Sequence, residues 1–89
     1  MERKMTFSKK VIEEALVGFI CRNFLVEADE FDHDLSLVDQ GVIDSFGLIE
    51  ISAFMEREFA IKVDEADMNR ANFGSITKMA AFVELKVGS

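Results

Sequence analysis

The chain has 89 residues, 49% of them apolar and 30% charged, which allows one modest core and no second domain. Its formal charge of −7 excludes a nucleic-acid binder that must neutralise a row of phosphates, disfavours an anionic membrane surface, and points to partners with basic patches. Nine phenylalanines, no tryptophan, tyrosine or proline, and only five glycines argue against a sandwich or barrel and in favour of helices.

The N-terminal stretch MERKMTFSKK is basic but lacks the apolar core of a secretory leader, and no run is long enough to span a bilayer. A soluble cytoplasmic protein is therefore expected, and the lone Cys21 suits a reducing compartment because it permits no internal disulfide. The first helix is expected over residues 8–25, capped by Thr6 or Ser8. Its apolar residues Val11, Ile12, Ala15, Leu16, Phe19, Ile20 and Phe24 recur every three or four positions and so share one face. Cys21 lies beside that face and reads as packing, not as a nucleophile.

Residues 26–44 form a long connection with seven carboxylates and no lysine or arginine. Leu35, Leu37 and Val38 are expected to pin it to the core. A connection this long inside a compact domain is often functional, although most of its acids read as a solvated face. The second helix is expected over Ser45–Phe59, with Leu48, Ile51, Met55 and Phe59 buried and Glu50, Glu56 and Arg57 outward. Residues 59–63 alternate like a strand but have no partner, so an extended link is expected. A short helix follows from a cap at Asp64 to about Arg70. The last helix runs from a Ser75 cap to about Lys86 and buries Ile76, Met79, Ala80 and Val83. The expected fold is all-α: a small four-helix bundle with three longer helices and one short one.

Several chemistries fail on spacing. The run Asp32-His33-Asp34 begins like a calcium loop, but Leu37 stands where the turn needs glycine and Ile43 where a bidentate glutamate is needed. One histidine and one cysteine make no zinc site, and no glycine-rich phosphate loop occurs. A serine hydrolase has only His33 as a base for Ser45, in a chain too small to enclose a substrate, so no independent catalysis is expected. His33 itself reads as a solvated loop residue.

One stretch remains: residues 39–51, DQGVIDSFGLIEI, in which an Asp-Ser pair precedes an amphipathic apolar run. Asp44 or Ser45 capping the second helix explains the pair locally. The longer pattern G-V-I-D-S-F-G-L, from Gly41 to Leu48, resembles the phosphopantetheine-attachment motif of acyl carrier proteins and peptidyl carrier domains. The acidic loop, the Glu56-to-Phe59 close of the second helix, the short third helix and the apolar fourth extend the resemblance over residues 7–86, as one carrier domain.

The resemblance implies that Ser45 accepts 4'-phosphopantetheine from coenzyme A through a Mg²⁺-dependent phosphopantetheinyl transferase, with Asp44 as the neighbouring motif residue at the helix start. It implies a stand-alone acyl or aminoacyl carrier, not an enzyme, that is loaded by a ligase and unloaded by a downstream synthase or transferase, and that works as a monomer. Partner recognition would fall to Phe46, Glu50 and Asp39, with Phe46 either standing out for partners or folding inward over the core. Gly47 and Arg57 depart from the acidic second helix of fatty-acid synthase carriers, and so favour a dedicated biosynthetic pathway over housekeeping fatty-acid synthesis. The competing reading is an unmodified acidic adaptor that binds a basic partner surface.

Overall fold

The computed structural model describes residues 8–88. Among them are four α-helices: α1 (Lys9–Phe24), α2 (Ser45–Phe59), α3 (Arg70–Phe73) and α4 (Ile76–Gly88). Two 3-10 turns, Ala28–Glu30 and Glu65–Asp67, complete the regular structure, and no strand occurs among the described residues. The four-helix bundle expected from the sequence is the one formed. Of the two N-caps proposed for α1, Ser8 acts: its hydroxyl accepts from the Val11 N–H at 3.2 Å, while Thr6 lies outside the described residues.

The core is one cluster drawn from every helix. Ile12, Leu16, Phe19 and Ile20 of α1 meet Ile51, Phe54, Met55 and Phe59 of α2, Phe73 of α3, and Ile76, Met79, Ala80, Phe82 and Val83 of α4. Helix α4 packs chiefly against α1 and α3. Val11 departs from expectation: it is 49% exposed because it lies one position off the stripe that Ile12 and Leu16 bury. Phe54, absent from the expected stripe of α2, is buried at its margin.

The short helix before α4 is divided. Asp64 does cap it, with Asp67 reciprocating in a capping box, but the turn stops at Asp67 and α3 begins only at Arg70. Asp67 Oδ2 accepts from the Asp64 N–H at 3.0 Å, and Asn69 Oδ1 accepts from the Asn72 N–H, also at 3.0 Å. Side chains that bond to nearby backbone in this way compete with a continuous helix. The Asn69 side chain therefore caps a new helix that the sequence reading ran together with the first.

Asp67 also ties the turn to α4, 3.4 Å from Lys86 Nζ. The Asp64 backbone N–H, with Lys86 adding to it against a smaller effect of burial, holds the Asp67 carboxyl below the usual carboxylate range. A carboxyl lowered in the folded state contributes stability above its unfolded pKa and loses it as pH falls through the lower folded value. Urea unfolding at a series of acid pH values should show this loss, and Asp67→Asn should flatten that part of the profile.

Candidate functional site

The connection between α1 and α2 is a folded strap. Phe31, Leu37 and Ile43 are its buried anchors. Leu35 and Val38, expected to share that task, are 57% and 44% exposed because the strap turns tightly there and only Leu37 points inward. The Leu37 N–H donates to the Gly74 carbonyl and the Thr77 N–H to the His33 carbonyl, each at 3.1 Å, so the strap is fastened to the junction of α3 and α4. Thr77 Oγ1 adds hydrogen bonds to Asp34 and to the His33 carbonyl.

Gln40 organises the middle of the strap. Its Oε1 accepts from the Asp32 N–H at 2.8 Å, and its Nε2 donates to the carbonyls of Asp32 and Leu35. Gly41 then takes φ 79°, a left-handed conformation that glycine adopts without a Cβ penalty, and the chain turns into α2.

Several of the acids serve the backbone beside them. Glu27 and Glu30 form a capping box and Asp32 accepts from the Asp34 N–H at 2.8 Å, whereas Asp39 pairs with a side chain, 3.4 Å from Arg70 of α3. Among the described residues no group of histidine, cysteine and carboxylate side chains is placed to hold a metal ion. His33 departs from the solvated role expected of it: it is half-buried, its Nε2 lies 3.0 Å from the Ala28 carbonyl oxygen, and its ring sits 4.9 Å from that of Phe31. These contacts engage it in the strap and not with Ser45.

At the start of α2 the division of labour is clear. Asp44, with extended backbone, is the cap: its Oδ1 accepts from the Gly47 N–H at 2.9 Å. Ser45 is the first helical residue, exposed, and its hydroxyl has no hydrogen-bond partner among the described residues. Replacing Asp44 by alanine should cost about 1 kcal/mol in urea unfolding, while Asp44→Asn should restore most of it, since asparagine caps as well.

The residues that follow alternate between surface and core. Phe46, at 75% exposure, stands outward, which settles the open choice about its orientation; Ile49 and Glu50 are exposed with it. Gly47 is buried, and a Cβ there would lie 3.0 Å from the Ile43 Cβ and 3.1 Å from the Phe24 ring. The close approach of α1 to α2 at this point leaves a Cβ less room than side chains ordinarily have. Gly47→Ala should therefore be net destabilising by about 1 kcal/mol in chemical denaturation, because overpacking outweighs the gain in helix propensity.

A surface groove of about 220 Å³ meets α2 at Leu48, one turn from Ser45. Ser36 and Val38 of the strap, Met68, and Arg70 and Phe73 of α3 line it with Leu48. Its mix of apolar wall and hydrogen-bonding groups suits a slender chain bearing amides, as the phosphopantetheine arm is. Exposed serine, helix N-terminus and adjacent groove thus fit that group together.

The residues expected at the site from the sequence are Ser45, Asp44, Phe46, Glu50 and Asp39. The structure places Asp44 at the N-cap of α2 and Ser45, Phe46 and Glu50 in its first two turns, and sets Asp39 apart, on the strap beside Arg70. Phe24, Gln40 and Arg70 were missed, since each acts through a neighbour distant in sequence or through backbone groups.

A family model described as "Phosphopantetheine attachment site" matches residues 14–83. The chain belongs to the phosphopantetheine-binding carrier family. D-alanyl carrier proteins of Streptococcus pyogenes serotype M5 (strain Manfredo), serotype M49 (strain NZ131) and serotype M1 are each 34% identical to this carrier over 73 residues, covering 82% of this chain and 91% of theirs. Its cofactor is a covalently attached 4'-phosphopantetheine, and the carrier holds acyl or aminoacyl cargo as a thioester on it for partner enzymes. The match sets the unmodified adaptor aside. No helix among the described residues is long and apolar enough to cross a membrane.

Proposed function

We propose that Ser45 bears the 4'-phosphopantetheine and that the cargo is an aminoacyl group of about the size of alanyl, bound for a dedicated pathway. The observation that carries the assignment is the free, exposed Ser45 hydroxyl in the first turn of α2, beside a cap provided entirely by Asp44. A hydroxyl spared from capping is available to a transferase, and the helix N-terminus favours the anion of the resulting phosphodiester. When bound, the group supplies a flexible arm ending in a thiol that carries the cargo. The D-alanyl carrier proteins named above, as relatives of this carrier, support the aminoacyl choice.

The chain's own task is presentation. Asp44 holds the helix start, Gly41 lets the strap turn into it, and Gly47 keeps α2 seated on Phe24 and Ile43. Phe46 and Glu50, one turn apart on the outer side of α2, and Asp39 on the strap are the recognition residues for the transferase and the loading and unloading enzymes. In this reading a single bundle over about residues 7–86 acts as a cytoplasmic monomer and makes no bonds of its own.

The test is intact mass after incubation with coenzyme A, Mg²⁺ and a broad-specificity phosphopantetheinyl transferase, followed by fragmentation to locate the modified residue. One phosphopantetheine gained on Ser45, and none on Ser36, Ser52 or Ser75, is the expected result. A gain on another serine, or none with several transferases, overturns the assignment.

A further inference from the structure

Helix α1 ends on a large side chain where helices usually end on glycine. Leu25 closes it with φ 58° and ψ 45°, a left-handed conformation in which a Cβ is sterically penalised. Among the described residues Ala60, at the end of α2, is the other non-glycine residue in this conformation, and it carries only a methyl group. At 89% exposure the Leu25 side chain has almost no contact in the fold to offset the penalty. The apolar contact that commonly accompanies such a turn falls to Val26, which packs against the core.

Leu25 stands at the same end of the bundle as the proposed attachment site. The Phe24 ring, one residue back, comes within 3.1 Å of where a Cβ on Gly47 would lie, so the end of α1 sits against the head of α2. Between them Phe24, Val42, Ile43 and Asp44 line a hollow of about 370 Å³, and along α2 Phe46 and Ile49 stand exposed. The strap beside this apolar surface holds seven carboxylates and no lysine or arginine. An enzyme working on Ser45 through an interface of standard size covers roughly 800 Å² of the carrier, a disc of about 16 Å radius. That disc takes in the end of α1.

We propose that Leu25 is a docking anchor for the phosphopantetheinyl transferase and enters an apolar socket on that enzyme, with basic groups around the socket. The inference rests on attachment at Ser45 and adds a residue of α1 to the recognition face on α2. The transferase must bring its active site to the serine itself, whereas later enzymes meet the cargo at the far end of a flexible arm. The surface around Ser45 is therefore covered most fully by the transferase. Burying Leu25 in the complex removes apolar area from water, and the carboxylates of the strap meet the basic rim and speed encounter. A leucine persists in a strained turn, where glycine would suit the fold better, because its side chain acts in the complex.

The experiment compares the wild type, Leu25→Gly and Leu25→Met in thermal midpoint and in transfer from coenzyme A by a broad-specificity transferase with Mg²⁺, followed by intact mass. Leu25→Gly is expected to raise the midpoint, since glycine adopts the left-handed turn without a Cβ penalty. Its kcat/KM should nevertheless fall about tenfold, the size of effect typical of an interface anchor. The fall should lie in KM, because the contact is remote from the reacting oxygen. Leu25→Met keeps a flexible apolar side chain and should retain most of the rate. Added salt should slow the wild type and Leu25→Gly by the same factor, since it screens the rim and leaves the apolar contact alone. An unchanged kcat/KM in Leu25→Gly overturns the inference. A fall accompanied by a lowered midpoint overturns it too, since Leu25 would then serve the fold. A wild-type rate insensitive to salt overturns the basic rim. No mass gain in the wild type overturns attachment at Ser45, and the inference with it.

Discussion

Ser45→Ala is expected to unfold at the same urea concentration as the wild type and to gain no mass with coenzyme A and the transferase. The two readouts separate because the structure divides two roles that the sequence allows one residue to share. The cap belongs to Asp44, whose carboxylate accepts from the Gly47 N–H, and Ser45 lies exposed in the first helical turn. An exposed substitution with no partner to lose shifts stability by no more than about 0.5 kcal/mol. The loss of modification is complete, since alanine has no oxygen to accept the group. Equal stability with retained modification would place the attachment elsewhere, and a loss of stability of about 1 kcal/mol would mean that Ser45 shares the cap.

Phe54→Ala has the largest expected effect on the fold, a loss of about 3–5 kcal/mol. Phe54 is buried, and its ring contacts both Phe19 and Phe59, so truncation leaves a void between those two rings. For a chain of 89 residues the total stability is of the order of 4–13 kcal/mol, so one substitution removes a large share. Phe46→Ala is the control with the same chemistry: Phe46 is 75% exposed, and its loss should leave the urea midpoint nearly unchanged. A small effect at Phe54 would show that the bundle collapses readily around the missing ring.

The contrast between these two phenylalanines shows where reading from sequence stops. Spacing at three and four positions marks an apolar face for each helix, and α1, α2 and α4 formed where that spacing put them. It does not say how wide an arc neighbouring helices will cover. Val11 and Phe54 sit at the margins of their stripes; the first is left half exposed and the second buried.

Local chemistry was equally legible. Ser8 and Asp64 cap the elements that follow them, and an Asp-Ser pair before an apolar run marks the proposed site because the motif is contiguous in the chain. Choosing between Asp44 and Ser45 as the cap depends on backbone torsions at the helix start, which adjacent residue types do not specify. The break between Asp67 and Arg70 has the same origin, since polar side chains there bond either to the turn or to solvent with little difference in local preference.

What the order of residues decided, then, is everything carried by short-range pattern: an all-α chain, the extent of its longer helices, and a serine placed at the head of the second. Tertiary contact decided the rest. The attachment of the strap to Gly74 and Thr77, the glycine that lets α1 approach α2, and the stacking of Phe19 on Phe54 all join groups that meet only when the helices pack. Such contacts depend on distances between elements set by the whole core at once, and no window of the sequence contains both partners.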